Sequence, residues 1–321
     1  MLTPIFSPNF VEQTDVLAGK LADSIHAFQH ELLTSLVYVD FPQKPAQILL
    51  FARGQLATVY RSDESVQRLD PTGWLAGLNG SSPRAGLRIL ALTPQDIRIF
   101  KILIEQRSDL RGASKDRSLE QLFTEWKAHP VPALVQVRWP KAEALLLFPG
   151  QGASPNYSLF ITANQLLHSA GSVREIQAWK EGYLSANFFS SDPATPAWIE
   201  YLLHNAFSSL VCNLFEKFEK LVGRILLNQV VRDVNFKATA HDWNVRFSAS
   251  SVNDQTVFAS PASAGETYAR LLEVIFQHFS TILGDAMLEM LLREAIFRLP
   301  VITRQLVSQY MPVTNLGHDP A

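Results

Sequence analysis

FSSLVCNLFEKFEKLVGRILLNQVVRD occupies Phe207 to Asp233, and YARLLEVIFQHFSTILGDAMLEMLLRE occupies Tyr268 to Glu294. These are the same helical text written twice, displaced by 61 positions without a gap. Phe207 aligns with Tyr268, Val211 with Leu272, Phe215 with Phe276, Phe218 with Phe279 and Gly223 with Gly284. Val230 aligns with Leu291, Arg232 with Arg293 and Asp233 with Glu294. The matched apolar positions recur at helical spacing, which gives each copy one buried face. Two units that each expose such a stripe bury it against one another. The expected product is a pseudo-twofold bundle of roughly four helices. A glycine inside a helix costs about 1 kcal/mol, so one in the middle of both copies answers a shared need. We read it as letting two helices cross closely. The alternative is a break between two shorter helices.

Upstream, the chain repeats itself a second time. Leu21, Ile25 and Phe28 match Leu119, Phe123 and Trp126, and Val37, Val39, Phe41 and Pro42 match Val135, Val137, Trp139 and Pro140. Ile48 to Phe51 then answers Leu145 to Phe148, and Gly54-Gln55 answers Gly150-Gln151. Both copies read helix, strand, proline turn, strand, glycine turn. Before them, residues 1 to about 15 read as an extended arm. In the first copy a helix is expected over Ser62 to Leu69, closed by Asp70-Pro71 and followed by a loop at Asn79–Pro83. A strand then covers Leu87 to Leu92. Thr93 caps a helix that Pro94 opens. The polar, basic run Arg107 to Arg117 reads as a linker, and Phe188 to Pro196 as the next boundary.

The fold class expected is therefore α+β: two tandem small helix-plus-antiparallel-sheet modules followed by a pseudo-symmetric helical bundle. The expected divisions are 1–118, 119–195, 196–310 and a tail at 311–321.

Composition narrows the function classes. The chain has 321 residues, 47% hydrophobic and 18% charged, as in ordinary globular proteins. A formal charge of −2 gives no global field that favours nucleic acid or an anionic membrane. Cys212 is the single cysteine, so neither an internal disulfide nor a cysteine-based zinc site is expected. MLTPIFSPNF lacks the basic start and apolar run of a signal peptide. No membrane-spanning stretch is expected either, and the cytoplasm is the default compartment.

The text Leu36-Val37-Tyr38-Val39, then Leu50-Phe51-Ala52-Arg53-Gly54, then Leu56 to Tyr60 resembles the bacterial PATAN-type signalling domain, also called DUF4388. Phe148 and Gly150 keep part of that motif in the second module, one residue closer together. The resemblance implies a non-catalytic module that mediates interactions in bacterial regulatory proteins. It carries no catalytic residue to any position here, and it does not extend to the helical pair.

Motifs with chemistry are thin. Phe148 to Pro155 is glycine-rich, but Pro155 stands where a dinucleotide loop needs its third glycine, so a hairpin loop is expected. Glu200 and His204 share a helix face, as do Glu125 and His129; His204 reads as a surface or interhelical hydrogen-bonding group. Cys212 reads as a small core residue. Arg107, Arg111, Lys115 and Arg117 cluster, with too little excess charge for a nucleic-acid contact.

The expected function is a non-catalytic bacterial regulatory or scaffold protein that works through protein–protein contacts. A homodimer through a sheet edge or helix face is one form of this. No cofactor, metal, nucleic acid or membrane insertion is expected. One alternative is a small-ligand sensor in which Phe215, Phe218, Phe276, Phe279 and His278 frame an apolar site. The other is an enzyme with a site near His241, Asp242 and His278, joined by Asp233 or Glu273.

Overall fold

The computed structural model describes residues 12–16, 18–41, 44–62, 66–77, 85–106, 110–114, 119–162, 165–168, 170–179 and 184–312. The arm before residue 12, the loop Asn79–Pro83 and the tail after Pro312 lie outside the described residues. The chain divides into two compact units, Met1–Asp192 and Pro193–Ala321.

The first unit is one module built twice. The first copy runs β1 (Glu12–Val16), α1 (Ala18–His30), β2 (Ser35–Phe41), β3 (Lys44–Ala52), β4 (Gln55–Ser62), β5 (Val66–Leu69), α2 (Pro71–Gly77) and β6 (Ala85–Ala91). After α3 (Pro94–Glu105), the second copy runs β7 (Leu110–Ser114), α4 (Leu119–Lys127), β8 (Ala133–Trp139), β9 (Ala142–Phe148), β10 (Tyr157–Thr162), β11 (Leu166–His168), α5 (Ala170–Ala178) and β12 (Leu184–Ser190). The first sheet has the order β1-β6-β2-β3-β4-β5, and the second, read from its other edge, β7-β12-β8-β9-β10-β11. The two connectivities are identical, and neighbouring strands are antiparallel throughout.

Each sheet buries one face under its own helices. In the first, Val37, Val39, Leu49, Phe51 and Val59 pack with Leu21 and Ile25 of α1. In the second, Val135, Val137, Leu146 and Phe148 pack with Leu122, Trp126 and Ile176. Gly54 and Gly150 stand at equivalent turns, with φ of 78° and 87°. A Cβ on Gly54 would fall 2.4 Å from the Gln29 carbonyl oxygen, and one on Gly150 would fall 2.9 Å from the Val131 carbonyl carbon. The chain leaving the first helix of each module therefore presses on the turn, and this fixes glycine there.

α3 joins the modules. It opens on a capping box between Thr93 and Asp96 and is buried continuously from Asp96 to Ile104. A helix buried on every side is packed on every side, and α3 touches both β3 and β8. Tyr60 donates its hydroxyl to Glu105 at 2.5 Å, and Gln106 donates its side-chain amide to the Ser190 carbonyl at 2.9 Å.

Several sequence expectations for this unit are corrected. Residues 66–69 are a strand, not the end of a helix, paired with β4 through Tyr60↔Arg68 and Val59↔Leu69. Asp70-Pro71 opens a helix rather than closing one: Asp70 accepts the Gly73 amide at 2.6 Å, the N-cap bond that proline at the first helical position permits. The supposed linker contains β7, which pairs with β12 from Ser114↔Leu184 to Leu110↔Phe188. That edge strand belongs to the second sheet, although it lies before the boundary expected at residue 118. It is held by backbone pairing and lacks the apolar alternation that betrays a strand. Phe188 and Phe189 lie within β12, so the break falls after Ser190.

The second unit contains α6 (Pro196–Val222), α7 (Arg224–Ala240), the hairpin β13 (Val245–Phe247) and β14 (Val252–Asp254), α8 (Pro261–Leu283), α9 (Asp285–Phe297) and α10 (Val301–Tyr310). Duplicated residues meet their own equivalents. Phe207 stacks on Tyr268 at 4.5 Å between centroids, and Phe218 stacks on Phe279 at 3.9 Å. Equal steps along both helices keep partners in contact only if α6 and α8 run parallel. Between the stacks, Val211, Leu214, Leu272 and Ile275 have no exposed surface. This is the seam of a parallel two-stranded coil, with the pseudo-twofold axis along it. α7 and α9 each touch both seam helices.

The preferred reading of the shared glycines is overturned. Gly223 (φ 90°, ψ 164°) ends α6 and begins α7, and Gly284 (φ 78°, ψ 157°) does the same for α8 and α9. Among the described residues nothing lies within 4 Å of a Cβ built on either one. They are elbows, not crossing points, in a backbone region essentially restricted to glycine.

Alanine at Gly223 should cost about 1–3 kcal/mol from backbone strain alone. Gly54→Ala adds a collision with the Gln29 carbonyl and should lower the melting temperature further. Thermal unfolding followed by circular dichroism ranks the two.

Candidate functional site

The residues expected to frame a ligand lie inside the seam. Phe215, Phe218, Phe276 and Phe279 are all buried. Phe215 lies 6.0 Å from Phe279, which itself stacks flat on Phe218. A ligand between Phe218 and Phe279 would have to part them. His278 sits on α8, and its buried Nε2 has no hydrogen-bond partner among the described residues. The duplication equates His278 with Lys217, whose ammonium pairs with Glu294 of α9 and holds that carboxyl below its ordinary range. His241 and Asp242 occupy the turn after α7, where the His241 ring stacks on Trp243 at 4.7 Å. Among the described residues no group of three or more His, Cys, Asp or Glu side chains could hold a metal ion.

Three buried polar clusters were not visible in the sequence. Asp254 of β14 accepts the Tyr268 hydroxyl at 2.6 Å and the Thr256 amide at 2.8 Å, and its Oδ2 lies 2.8 Å from His204 Nδ1. Of the surface and interhelical roles expected of His204, the structure gives the interhelical one, and the cluster clamps the hairpin to α6 and α8. In the first unit, Asp96 accepts the Thr93 amide and hydroxyl, each at 2.7 Å, and also the Tyr157 hydroxyl. His168 Nδ1 lies 3.4 Å from Asp96. Burial first, and then the Asp96 charge, push the Tyr157 phenol well above its ordinary range.

The third cluster is Glu143 on β9. It accepts the Gln136 side-chain amide at 2.5 Å, and Gln136 in turn accepts from Asn187 at 2.8 Å. Burial raises the Glu143 carboxyl to about 7, against the pull of Arg138 and the Gln136 bond.

Other candidates are local. His129 Nδ1 lies 3.1 Å from the Val131 carbonyl oxygen. Half-buried Cys212 donates its thiol to the Ser250 carbonyl at 3.6 Å, and burial pushes its pKa up. Phe148–Pro155 is the β9–β10 hairpin, as expected. Arg107, Lys115 and Arg117 lie outside the described residues, and Arg111 has its backbone in β7.

Among its exposed charged residues the helical unit also presents a set of large apolar side chains, several of them at equivalent positions. Phe236 and Phe297 are equivalent, 61 positions apart, and 76% and 75% exposed. At the elbows Leu226 and Met287 are a second equivalent pair, 36% and 38% exposed, and Leu221 and Ile282 are a third. Ile225, Met290 and Val301 add to the set, Ile225 being 79% exposed. Arg304 lies over the Phe297 ring at 5.3 Å, beside a shallow depression lined by Val301, Arg304, Gln305, Ser308 and Gln309. Scattered single apolar residues are normal on a surface, whereas contiguous patches of large ones mark contact sites. Sequence reasoning missed the phenylalanine pair because it lies just past the aligned stretch. Extending the repeat by one turn finds it.

No family model matches the chain, and no curated protein or solved structure matches it significantly. Among the described residues no helix is long and apolar enough to cross a membrane.

Glu143 makes stability depend on pH. Its folded value of about 7 lies above the ordinary carboxyl value of 4.5, so the folded state keeps a proton that the unfolded state releases. The contribution of Glu143 to stability is therefore full below about pH 4.5 and is lost as pH rises through about 7, by about 3 kcal/mol in total. Glu143→Gln should flatten the melting temperature across that window and raise it at pH 8.

Proposed function

We propose that this chain is a non-catalytic regulatory or scaffold protein of the cytoplasm that works by binding another protein through the outer faces of its helical unit. The observation that carries this reading is the equivalent, exposed pair Phe236 and Phe297. A fully buried phenylalanine is worth about 1.5–3 kcal/mol relative to an exposed one. Two left in water at equivalent positions supply hot-spot anchors for a partner.

The polar clusters support the same reading. Asp96 and Asp254 are each occupied by donors of the protein itself. The resemblance of the N-terminal module to the PATAN-type domain points the same way, since that family mediates interactions in bacterial signalling.

The test places a photoreactive phenylalanine analogue at Phe236 and at Phe297 in the producing cells. Irradiation should give the same discrete heavier adduct from both positions, and none from an exposed control at Arg270. Indistinguishable adducts at all three positions would overturn the reading.

A further inference from the structure

We propose that the elbow end of the helical unit binds the elbow end of a second copy of this chain, with the first elbow of each copy against the second elbow of the other. This rests on the reading that the exposed apolar residues of the unit form docking surface, but it concerns a different face from Phe236 and Phe297.

The seam places both elbows together. α6 and α8 run parallel in register, and each ends one turn beyond the Phe218–Phe279 stack. Gly223 and Gly284 therefore lie at the same end of the bundle, on either side of the pseudo-twofold axis. Leu221, Ile225 and Leu226 are exposed at the first elbow, and Ile282 and Met287 at the second. A surface that maps onto itself by a twofold rotation suits a twofold pairing between identical chains, because each half meets a half of matching shape.

Charge selects the register. Two twofold pairings bring the ends together. One sets each elbow on its own counterpart, so that Arg224 faces Arg224 and Asp285 faces Asp285. The other crosses them. Arg224 and Asp285 are equivalent in the duplication but opposite in sign, so the crossed pairing makes two attractive contacts where the other makes two repulsive ones.

The flanking helices carry the same polarity. α7 has three basic residues and one acidic, and α9 has three acidic and one basic. Arg224 already holds Glu219 at 2.8 Å through one guanidinium nitrogen. A guanidinium has five N–H donors, so others can reach Asp285 of a second copy. The remaining elbow charges, Lys220 and Glu216, neutralise each other at 2.5 Å and leave the apolar residues without a net repulsive rim.

The full chain should show a concentration-dependent monomer–dimer equilibrium in sedimentation velocity. Ile225→Glu should raise the dissociation constant by about 30-fold or more, as expected for an interface anchor. Arg224→Asp and Asp285→Arg should each weaken the dimer, and the double variant should recover it. Phe236→Ser should leave it unchanged. Ile225 is almost fully exposed, so an unchanged thermal melt separates lost association from lost folding.

A wild-type chain that sediments as a monomer at every concentration would sink the proposal. So would an Ile225→Glu variant that associates like wild type, or a double charge variant no better than either single one. If the wild type is monomeric while the probes at Phe236 and Phe297 capture another protein, the second-copy inference falls and the proposed function stands. If both experiments are blank, both fall.

Discussion

The helical unit depends on two aromatic rings lying flat on the two rings that the duplication makes their equivalents. Phe207 on Tyr268 and Phe218 on Phe279 set α6 and α8 parallel, in register and in contact. Each pair contributes about 0.5–1.5 kcal/mol beyond the burial of its area, but its geometric consequence is larger. A parallel pair of helices must have its returning segments on either flank, so the chain needs a sharp reversal at the end of each. The elbow glycines are that reversal. The one chemical difference within the first stack, a hydroxyl on Tyr268, breaks the symmetry by reaching Asp254 and drawing in the hairpin.

The first unit solves a different problem with the same economy. Two six-stranded sheets of identical connectivity each cover one face with their own helices. α3 follows the last strand of the first copy and touches both sheets. The equivalent place in the second copy, after β12 and an echoing Thr195-Pro196, is where α6 begins. The Asp96 cluster fixes the N-terminal end of α3 to the second sheet, and the Glu105 contact fixes its C-terminal end to the first.

The sequence was legible where burial imposes a period. The seam residues fall at helical spacing in both copies, and the two modules match through a helix, two strands and the glycine turn that follows them. It was illegible where backbone pairing or local conformation decides. β7 offers little apolar alternation. β5 is followed by an Asp-Pro that caps a helix as readily as it ends one. The glycines cost the same whether they permit a crossing or a break, so only their backbone angles distinguish the two. The buried clusters could not be read at all, because Asp254 and His204 are 50 residues apart and meet only after the hairpin docks. The outward residues were within reach. The inner face of α7 is Leu227, Val230, Val231, Val234 and Ala238, and Phe236 falls off it by helical geometry.

A buried carboxylate is tolerable only when its lone pairs are occupied. Here Asp96 and Asp254 take tyrosine hydroxyls and backbone amides, so their hydrogen-bonding capacity goes to fixing elements in place. The exposed apolar side chains are the opposite case. Their burial would stabilise the fold, and helical faces a few residues away show that this chain buries phenylalanine readily. Leaving the same positions outward in both copies forgoes that stabilisation twice. A forfeit repeated at matched sites is best accounted for by a second surface that collects it.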